Sequence, residues 1–520
     1  GALYSIHDVN NSVDYFYEIF FKTLDKFVPK QLHPKKIKYP PWFDSSLIAE
    51  LKKKRKFEKK RYNSESNNRI FLELRKEFKV KIQNALKNYN LELEKKFRFD
   101  SKTFFKFLNS KKLKRTGSSL IYEGRRIYDN KTIADLLADV FSLSYSKESS
   151  TYKPSIACAG PVRDNVSNLL ILDDITESDL FEGIKRLKPT RGAGPDGIPP
   201  YLIKGLFEVI STPLLYIFNL SLHHSVYPKR WKEATVIPIP KSGSNGELNL
   251  QRPISLQNAF AKLFDTVIHK PVQNHFNTLM IEEQHGFVPH RSTVTNLLCF
   301  TQEVSHFLDL GAEVHCIFTD FEKAFDRVDH DLLLAKLWSY GFSRNLIDFF
   351  ASYLSDRRQQ VSYFGSTSSP YLATSGVPQG GVLGPVLFLF FINDITNVLQ
   401  HSKCLLYADD LKIFRLITAL VHCTLLQQDL VRLIEWSLVN KLFFNFRKCK
   451  SLNFSRKKAP ITYQYHMNGN SLENVTSFKD LGLLLDQGLV FDKHINSIVQ
   501  SSYQLLGFLK RNTKYFSYNT

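Results

Sequence analysis

CLLYADDLKIF, residues 404–414, sets two adjacent carboxylates, Asp409 and Asp410, inside an apolar run. An ionised carboxylate taken out of water is costly unless something positive answers it. No lysine or arginine stands close enough before the pair to be the obvious partner, and Lys412 supplies a single charge. Two readings of the run follow: a β-hairpin whose Ala-Asp-Asp tip faces water, or a tip whose charge a bound cation completes. The surrounding chain separates them.

At 520 residues and 43% hydrophobic, the chain can bury a sizeable core in two or three structural units. Its longest strongly apolar stretch, VLFLFFI at 386–392, is far short of the ~20 residues that a membrane helix needs. The start, GALYSIHDVNN, has no charged-then-apolar signal pattern, so an intracellular protein with no membrane partner is expected. Six scattered cysteines with no CxxC spacing exclude a zinc ribbon or a disulfide framework. The net charge of +20 is concentrated: residues 29–115 hold 27 lysines and arginines against nine acidic residues. That segment carries nearly all of the chain's attraction for polyanions.

Within it, LKKKRKFEKKR (51–61) supplies Lys52, Lys53, Lys54, Arg55, Lys56, Lys59, Lys60 and Arg61 as candidate nucleic-acid contacts. Phe71, Leu74, Phe78, Ile82, Leu86, Tyr89, Leu93 and Phe97 follow at helical spacing, a packing stripe. The basic helix reads equally as a solvated face and as a phosphate-tracking surface. SKESSTYKPS (146–155) is rich in Ser and Thr, which puts a boundary between 116 and 165. Beyond it, ITESDLFEGIKRLK (175–188) reads as a helix capped by Thr176 and Asp179. Short β-like runs then alternate with helical stretches, an α+β pattern.

A second acidic stretch, HCIFTDFEKAFDRVDH (315–330), puts Asp320 at the end of a strand. Phosphate chemistry with two divalent ions ~3.5–4 Å apart needs carboxylates converging from different chain segments. Asp320 and Asp409 meet that need if their strands are neighbours. GAGPDGIP (192–199), VIPIPKSG (236–243), RPISL (252–256), EQHGF with RST (283–287, 291–293), FTDFEKAFDRVDH (318–330), SGVPQGGVLGPVLFLFFINDI (375–395), YADD (407–410), FNFRKCKSLNFS (444–455) and FKDLGLLLD (478–486) occur in that order. The sequence thereby resembles the reverse transcriptases of non-LTR, LINE-like retrotransposons, nearest to the insect jockey-like group. Relatives usually carry an upstream endonuclease domain, for which these residues hold no counterpart, and a start at Gly rather than Met suggests a fragment.

The resemblance implies an α+β right-hand polymerase: a basic helical region (1–115), a linker (116–165), fingers (166–310), a palm with an antiparallel sheet (311–485) and the start of a thumb (486–520). It implies that Asp320, Asp409 and Asp410 are catalytic. Two Mg²⁺ ions, replaceable by Mn²⁺, would be held by Asp320, Asp409 and the Phe321 carbonyl. Phe325 would be an aromatic gate against the sugar 2′-carbon, Gln379 and Gly380 would lie under template base and nucleotide, and Lys241 and Arg252 would meet the triphosphate. Lys448 would neutralise the departing pyrophosphate, with Lys450 competing for the role. Phe478, Leu481 and Gly482 would grip the primer. The implied partners are an RNA template, a DNA primer or target site and deoxynucleoside triphosphates, with the nucleus as the place of action. Two other readings are a polymerase-like module that binds nucleic acid without catalysis and a maturase-type splicing factor. Intact Asp320, Asp409 and Asp410 favour the enzyme.

Overall fold

Strand Glu313–Thr319 is buried at every position, and its alternation explains why. Val314, Cys316 and Phe318 join a cluster with Phe300, Val304 and Leu308 of helix Thr293–Asp309. Ile317 joins the opposite cluster, with Leu387 of helix Leu383–Ile392 and Leu430 of helix Leu420–Val439. Covered on both faces, the strand buries even its polar residues Glu313, His315 and Thr319. Helix Leu383–Ile392 buries all but Pro385 of its ten residues, the state expected of a helix that is apolar all round.

This computed structural model describes residues 2–28, 39–97, 99–111, 119–146, 169–241, 243–244, 246–513 and 516. They are a mixture of helix and sheet, in keeping with the α+β reading. The central sheet has the strand order Glu473–Asn474, Lys450–Phe454, Glu313–Thr319, Asp410–Ile417, Lys403–Tyr407. It is antiparallel except for the short outer pair. A second sheet orders Gln251–Gln257, Glu233–Pro240, Arg357–Tyr363 and Ser366–Thr367, with Tyr371–Ala373 paired to Arg357–Tyr363. The expected helix at 177–186 forms, and Thr176 and Asp179 make a reciprocal capping box.

The chain divides into two compact units, and their boundaries differ from those expected. The first comprises Gly1–Leu24 and Ser118–His494. Residues 1–24 are thus not part of the basic region: Phe16, Tyr17 and Phe20 all meet the ring of Phe260, at 5.2, 5.5 and 5.5 Å. Nor is 116–165 a plain linker. Leu120–Tyr122 and Arg125–Ile127 pair as a hairpin, and Ile133, Leu137 and Phe141 of helix Asn130–Ser142 pack against Val236 and Val361. Apolar spacing in LADVFSL was enough for a helix, but the nearby Ser-rich composition masked it. Residues 147–168 lie outside the described part.

The second unit comprises Asp25–Gly117 and Ile495–Thr520. Helices Ser45–Lys60 and Glu65–Phe97 pair in it through the predicted stripe, with Leu47, Phe71, Phe78 and Leu93 buried. Phe516 meets Phe97 and Phe107, each at 5.5 Å between ring centroids. The expected 486–520 element is therefore split near 494, because an aromatic contact between distant parts of the chain draws its end to the basic helices. No described helix is long and apolar enough to cross a membrane.

Candidate active site

The register of two strands brings the acids together. Leu411 pairs with Thr319 in the antiparallel ladder, so Asp410, the first residue of its strand, stands level with Asp320, the first residue after the other. Opposite residues of an antiparallel pair share a sheet face. Asp409 lies in the two-residue turn between Tyr407 and Asp410, where Ala408 takes φ +57°. The turn is held from outside by the EQHGF segment. Gln284 Oε1 accepts from the N–H of Gly286 at 2.8 Å and of Ala408 at 2.9 Å. His285 N–H donates to the Leu406 carbonyl and Leu406 N–H to the Glu283 carbonyl, both at 2.9 Å. A Cβ at residue 286 would come within 2.2 Å of the Ala408 nitrogen, so only glycine allows this approach. Asn296 Nδ2 also donates to the Leu406 carbonyl, at 3.0 Å. Gln284 and Asn296 are supporting residues that motif reading passed over; the glutamine inside EQHGF was the available signal.

Burial raises the Asp409 carboxyl above the usual carboxylate range and Asp320 adds to this, while Arg252 and Lys448 oppose it. Asp410 keeps an exposed edge, yet the cleft wall and then the charges of Asp409, Asp480 and Asp320 push its carboxyl up to about 7. Asp320 accepts from Lys448 Nζ at 2.9 Å. Lys448 therefore neutralises an acid of the cluster directly, whereas Lys450 bonds Glu473 at 2.7 Å and is withdrawn from the competition. Lys412 makes its direct ion pair with Asp480, buried, and lies 4.8 Å from the Phe300 ring centroid; on Asp410 it acts only through its charge, as the weaker opponent of burial and the neighbouring acids.

Among the described residues no three His, Cys, Asp or Glu side chains converge as a closed metal-holding group. Mg²⁺ takes hard oxygen donors and is commonly held by one or two carboxylates together with substrate phosphates and waters. Asp320 and Asp409, in electrostatic contact and beside an open cleft, fit that kind of donor set. The Phe321 ring stacks on Phe444 at 4.3 Å. The bridge between these residues uses the carbonyls of Asp320 and Phe443, which leaves the Phe321 carbonyl out of it.

Cations face the acids. Lys241 and Arg252 lie on the hairpin of Glu233–Pro240 and Gln251–Gln257, where Arg252 pairs with Ile239. The Lys241 ammonium is pulled below its ordinary value by burial and then by Lys448 and Arg252, while Asp320 and Asp326 pull the other way. Mutual repulsion of three cations beside a cleft is relieved by a polyanion.

Phe325 is half-buried, stacked on Phe388 at 4.4 Å and edge-on to Phe287 at 6.2 Å. Gln379 Nε2 donates to Asp326 Oδ1 at 2.7 Å, and the Gln379 carbonyl accepts from Ser255 N–H at 2.9 Å. At Gly380, φ is +95° and a Cβ would sit 3.0 Å from the Ser255 carbonyl oxygen. Phe325, Gln379, Gly380, Lys241 and Arg252 thus belong to one connected neighbourhood.

Strands Ser477–Asp480 and Leu483–Asp486 form a hairpin whose two turn residues, Leu481 and Gly482, have φ +45° and +98°, as a tight type I′ turn requires. Phe478 stacks on Phe318 at 4.1 Å, so its ring is engaged in packing while Leu481 stands at the tip. A cavity of about 260 Å³ lies between this hairpin and the acids, lined by Asp320, Asp410, Lys448 and Leu481 among others.

In the second unit, Lys52, Lys53, Arg55, Lys56, Lys59 and Lys60 are exposed, and none forms an ion pair with a described residue. Lys54 and Arg61 are partly withdrawn, over the rings of Phe78 at 6.0 Å and Phe71 at 5.7 Å.

Residues 239–508 match the family model described as reverse transcriptase (RNA-dependent DNA polymerase). Similar curated proteins include the probable RNA-directed DNA polymerase from transposon BS of Drosophila melanogaster, 30% identical over 66% of this chain and 39% of that protein. The RNA-directed DNA polymerase from mobile element jockey of Drosophila funebris is 26% identical over 95% of this chain and 56% of its own length. The chain thus spans between about two fifths and somewhat over half of these relatives. With more than half of its length matched by that model, the chain belongs to the reverse transcriptase family.

Proposed function

We propose that this chain is an RNA-directed DNA polymerase of a non-LTR retrotransposon, extending a DNA primer or nicked target on an RNA template. One observation carries the reading: the Leu411–Thr319 register sets Asp320 level with the Asp409–Asp410 turn at one end of a sheet. In this reading the central sheet is the floor of a palm, the hairpin bearing Lys241 and Arg252 belongs to the fingers, and the helix beginning at Asp492 starts the thumb.

Asp320, Asp409 and the Phe321 carbonyl would hold two Mg²⁺ ions, or Mn²⁺ in their place, with Asp410 completing the negative field. When bound, the ions would supply Lewis-acid activation of the primer 3′-hydroxyl and charge stabilisation at the phosphates. Lys241 and Arg252 bind the triphosphate oxygens, and Lys448 gives up Asp320 to neutralise the pyrophosphate as it departs. Phe325 excludes a ribose 2′-hydroxyl by contact, and Gln379 and Gly380 support the base pair being formed. The tip Leu481–Gly482 rests on the primer backbone, with Phe478 as its root in the sheet. The exposed lysines and Arg55 of helix Ser45–Lys60 track the phosphates of template or target, and action on target DNA would put the work in the nucleus.

The test is primer extension on an RNA template with Mg²⁺ and deoxynucleotides, wild type beside Asp409→Asn. Extension by the wild type alone is expected; equal extension by both would remove Asp409 from the chemistry.

A further inference from the structure

Asp326 stands directly after the proposed sugar gate and has no part in the chemistry above. It is 7% exposed, and its Oδ1 accepts from Gln379 Nε2 at 2.7 Å. An ionised carboxylate accepts hydrogen bonds only, so the glutamine must turn its NH₂ toward Asp326 and its Oε1 away. Without such a partner the two ends of a glutamine amide are nearly interchangeable.

The backbone around this contact is already fastened. Ser375 Oγ donates to the Asp326 carbonyl at 2.7 Å, Val377 N–H to the Phe325 carbonyl at 2.8 Å and Gly376 N–H to the Val328 carbonyl at 2.7 Å. Gly376 has φ +80°, and a Cβ there would come within 2.5 and 2.6 Å of the Phe325 and Asp326 carbonyl oxygens. The two segments are therefore pressed together backbone to backbone. This fixes where the Gln379 side chain begins; only Asp326 fixes which end of its amide is presented. Burial pushes the Asp326 carboxyl up to about 6, against the hydrogen bond from Gln379 and the charges of Lys323, Lys241 and Arg327. The neighbouring hydroxyls of Tyr145 and Tyr371 are both spent on Gln359 Oε1, each at 3.1 Å, so they do not serve Asp326.

We propose that Asp326 is a positioning residue for nucleotide selection: it holds the Gln379 amide in one orientation beside Phe325, so that base and sugar of the incoming nucleotide meet one rigid surface. This rests on the polymerase reading. Ionised Asp326 leaves Gln379 an outward acceptor, Oε1; an asparagine at 326 allows either end of the amide to face outward.

The experiment is a double-mutant cycle on the full chain, with Asp326→Asn, Gln379→Ala and the pair. Single-nucleotide incorporation is measured with matched, mismatched and ribonucleotides, beside thermal melting. Asp326→Asn should raise KM for the matched nucleotide about tenfold with little change in kcat, weaken discrimination by a similar factor, and add nothing once Gln379 is alanine. An equal effect of Asp326→Asn in both backgrounds would overturn the proposal, as would unchanged selection in a folded variant. Gln379→Glu opposes two carboxylates and should impair selection. Adding Asp326→Asn should restore it, because the asparagine then donates and the glutamate keeps an outward acceptor; no recovery counts against the idea. Nucleotide retention on a chain-terminated primer–template with Ca²⁺ is measured in parallel. If the wild type fails to extend but retention follows the non-additive pattern, the polymerase reading falls and the positioning role stands. Additive retention overturns the role whether or not extension occurs.

Discussion

Asp265 and Asp410 belong to the same unit, and burial pushes both carboxyls up, to about 6 and about 7. Their surroundings are opposite. Asp265 is fully buried and accepts from Tyr227 Oη at 2.8 Å and Gln257 Nε2 at 3.2 Å, with Arg357 as the charge that stabilises it. Asp410 faces a cleft, and its strongest electrostatic neighbours are three further carboxylates. A buried acid supplied with donors from its own fold is part of the scaffold. An acid crowded by acids beside an opening is stabilised by something that enters. Asp265 thus holds helix Ala259–Leu279 to its neighbours, while Asp410 is placed in the chemistry by the proposed function.

The sharpest way to break this contrast is to neutralise each group. Asp409→Asn or Asp320→Asn should reduce primer extension by roughly a thousandfold or more with melting and template binding kept, and chelation of divalent ions should do the same reversibly. Extension that survives either treatment would make the open cluster as structural as Asp265. Asp265→Ala, by contrast, should cost about 3 kcal/mol in urea denaturation, because Tyr227 Oη and Gln257 Nε2 lose their buried acceptor, while activity per folded molecule is kept. The same residue has a pH signature. Its folded pKa of about 6 lies above that of the unfolded chain, so the folded state binds more protons between about pH 4 and 6. The stability that this carboxyl contributes at low pH is lost as pH rises through 6, and Asp265→Asn should abolish that slope.

Smaller effects probe the edges of the cleft. Phe325→Ala should raise ribonucleotide incorporation relative to deoxynucleotide about tenfold, measured by competition; unchanged sugar discrimination would return Phe325 to plain packing against Phe388. Cations extend the comparison, since Arg357 is enclosed while the six exposed residues of helix Ser45–Lys60 have no ion-pair partner among the described residues. Changing Lys52, Lys53, Arg55, Lys56, Lys59 and Lys60 to Gln should flatten the plot of log affinity for RNA against log salt by up to about 4. An unaltered slope would make that helix a solvated face only.

Local order was legible wherever a single segment decides it. The Thr176 cap and the aromatic stripe from Phe71 to Phe97 follow from spacing and composition. The nine ordered motifs were enough to name the family. What failed was the assignment of ends to units: Phe16 and Tyr17 looked like part of a basic region, and only their contacts with Phe260 reveal the core they serve. Ser- and Thr-rich sequence suggested a linker and concealed a helix that packs on Val236 and Val361.

The chain by itself determined that Asp320, Asp409 and Asp410 are strand-end acids in apolar surroundings, and that positive charge gathers between residues 29 and 115. Only tertiary structure decided which lysine meets Asp320, that Lys412 is consumed by Asp480, and that Gln284 and Asp326 hold the hairpin tip and Gln379. The reason is physical. Periodicity and charge are properties of neighbours along the chain, whereas the partner of a buried polar group is set by strand register and by the packing of segments far apart in sequence, through contacts that no local pattern encodes.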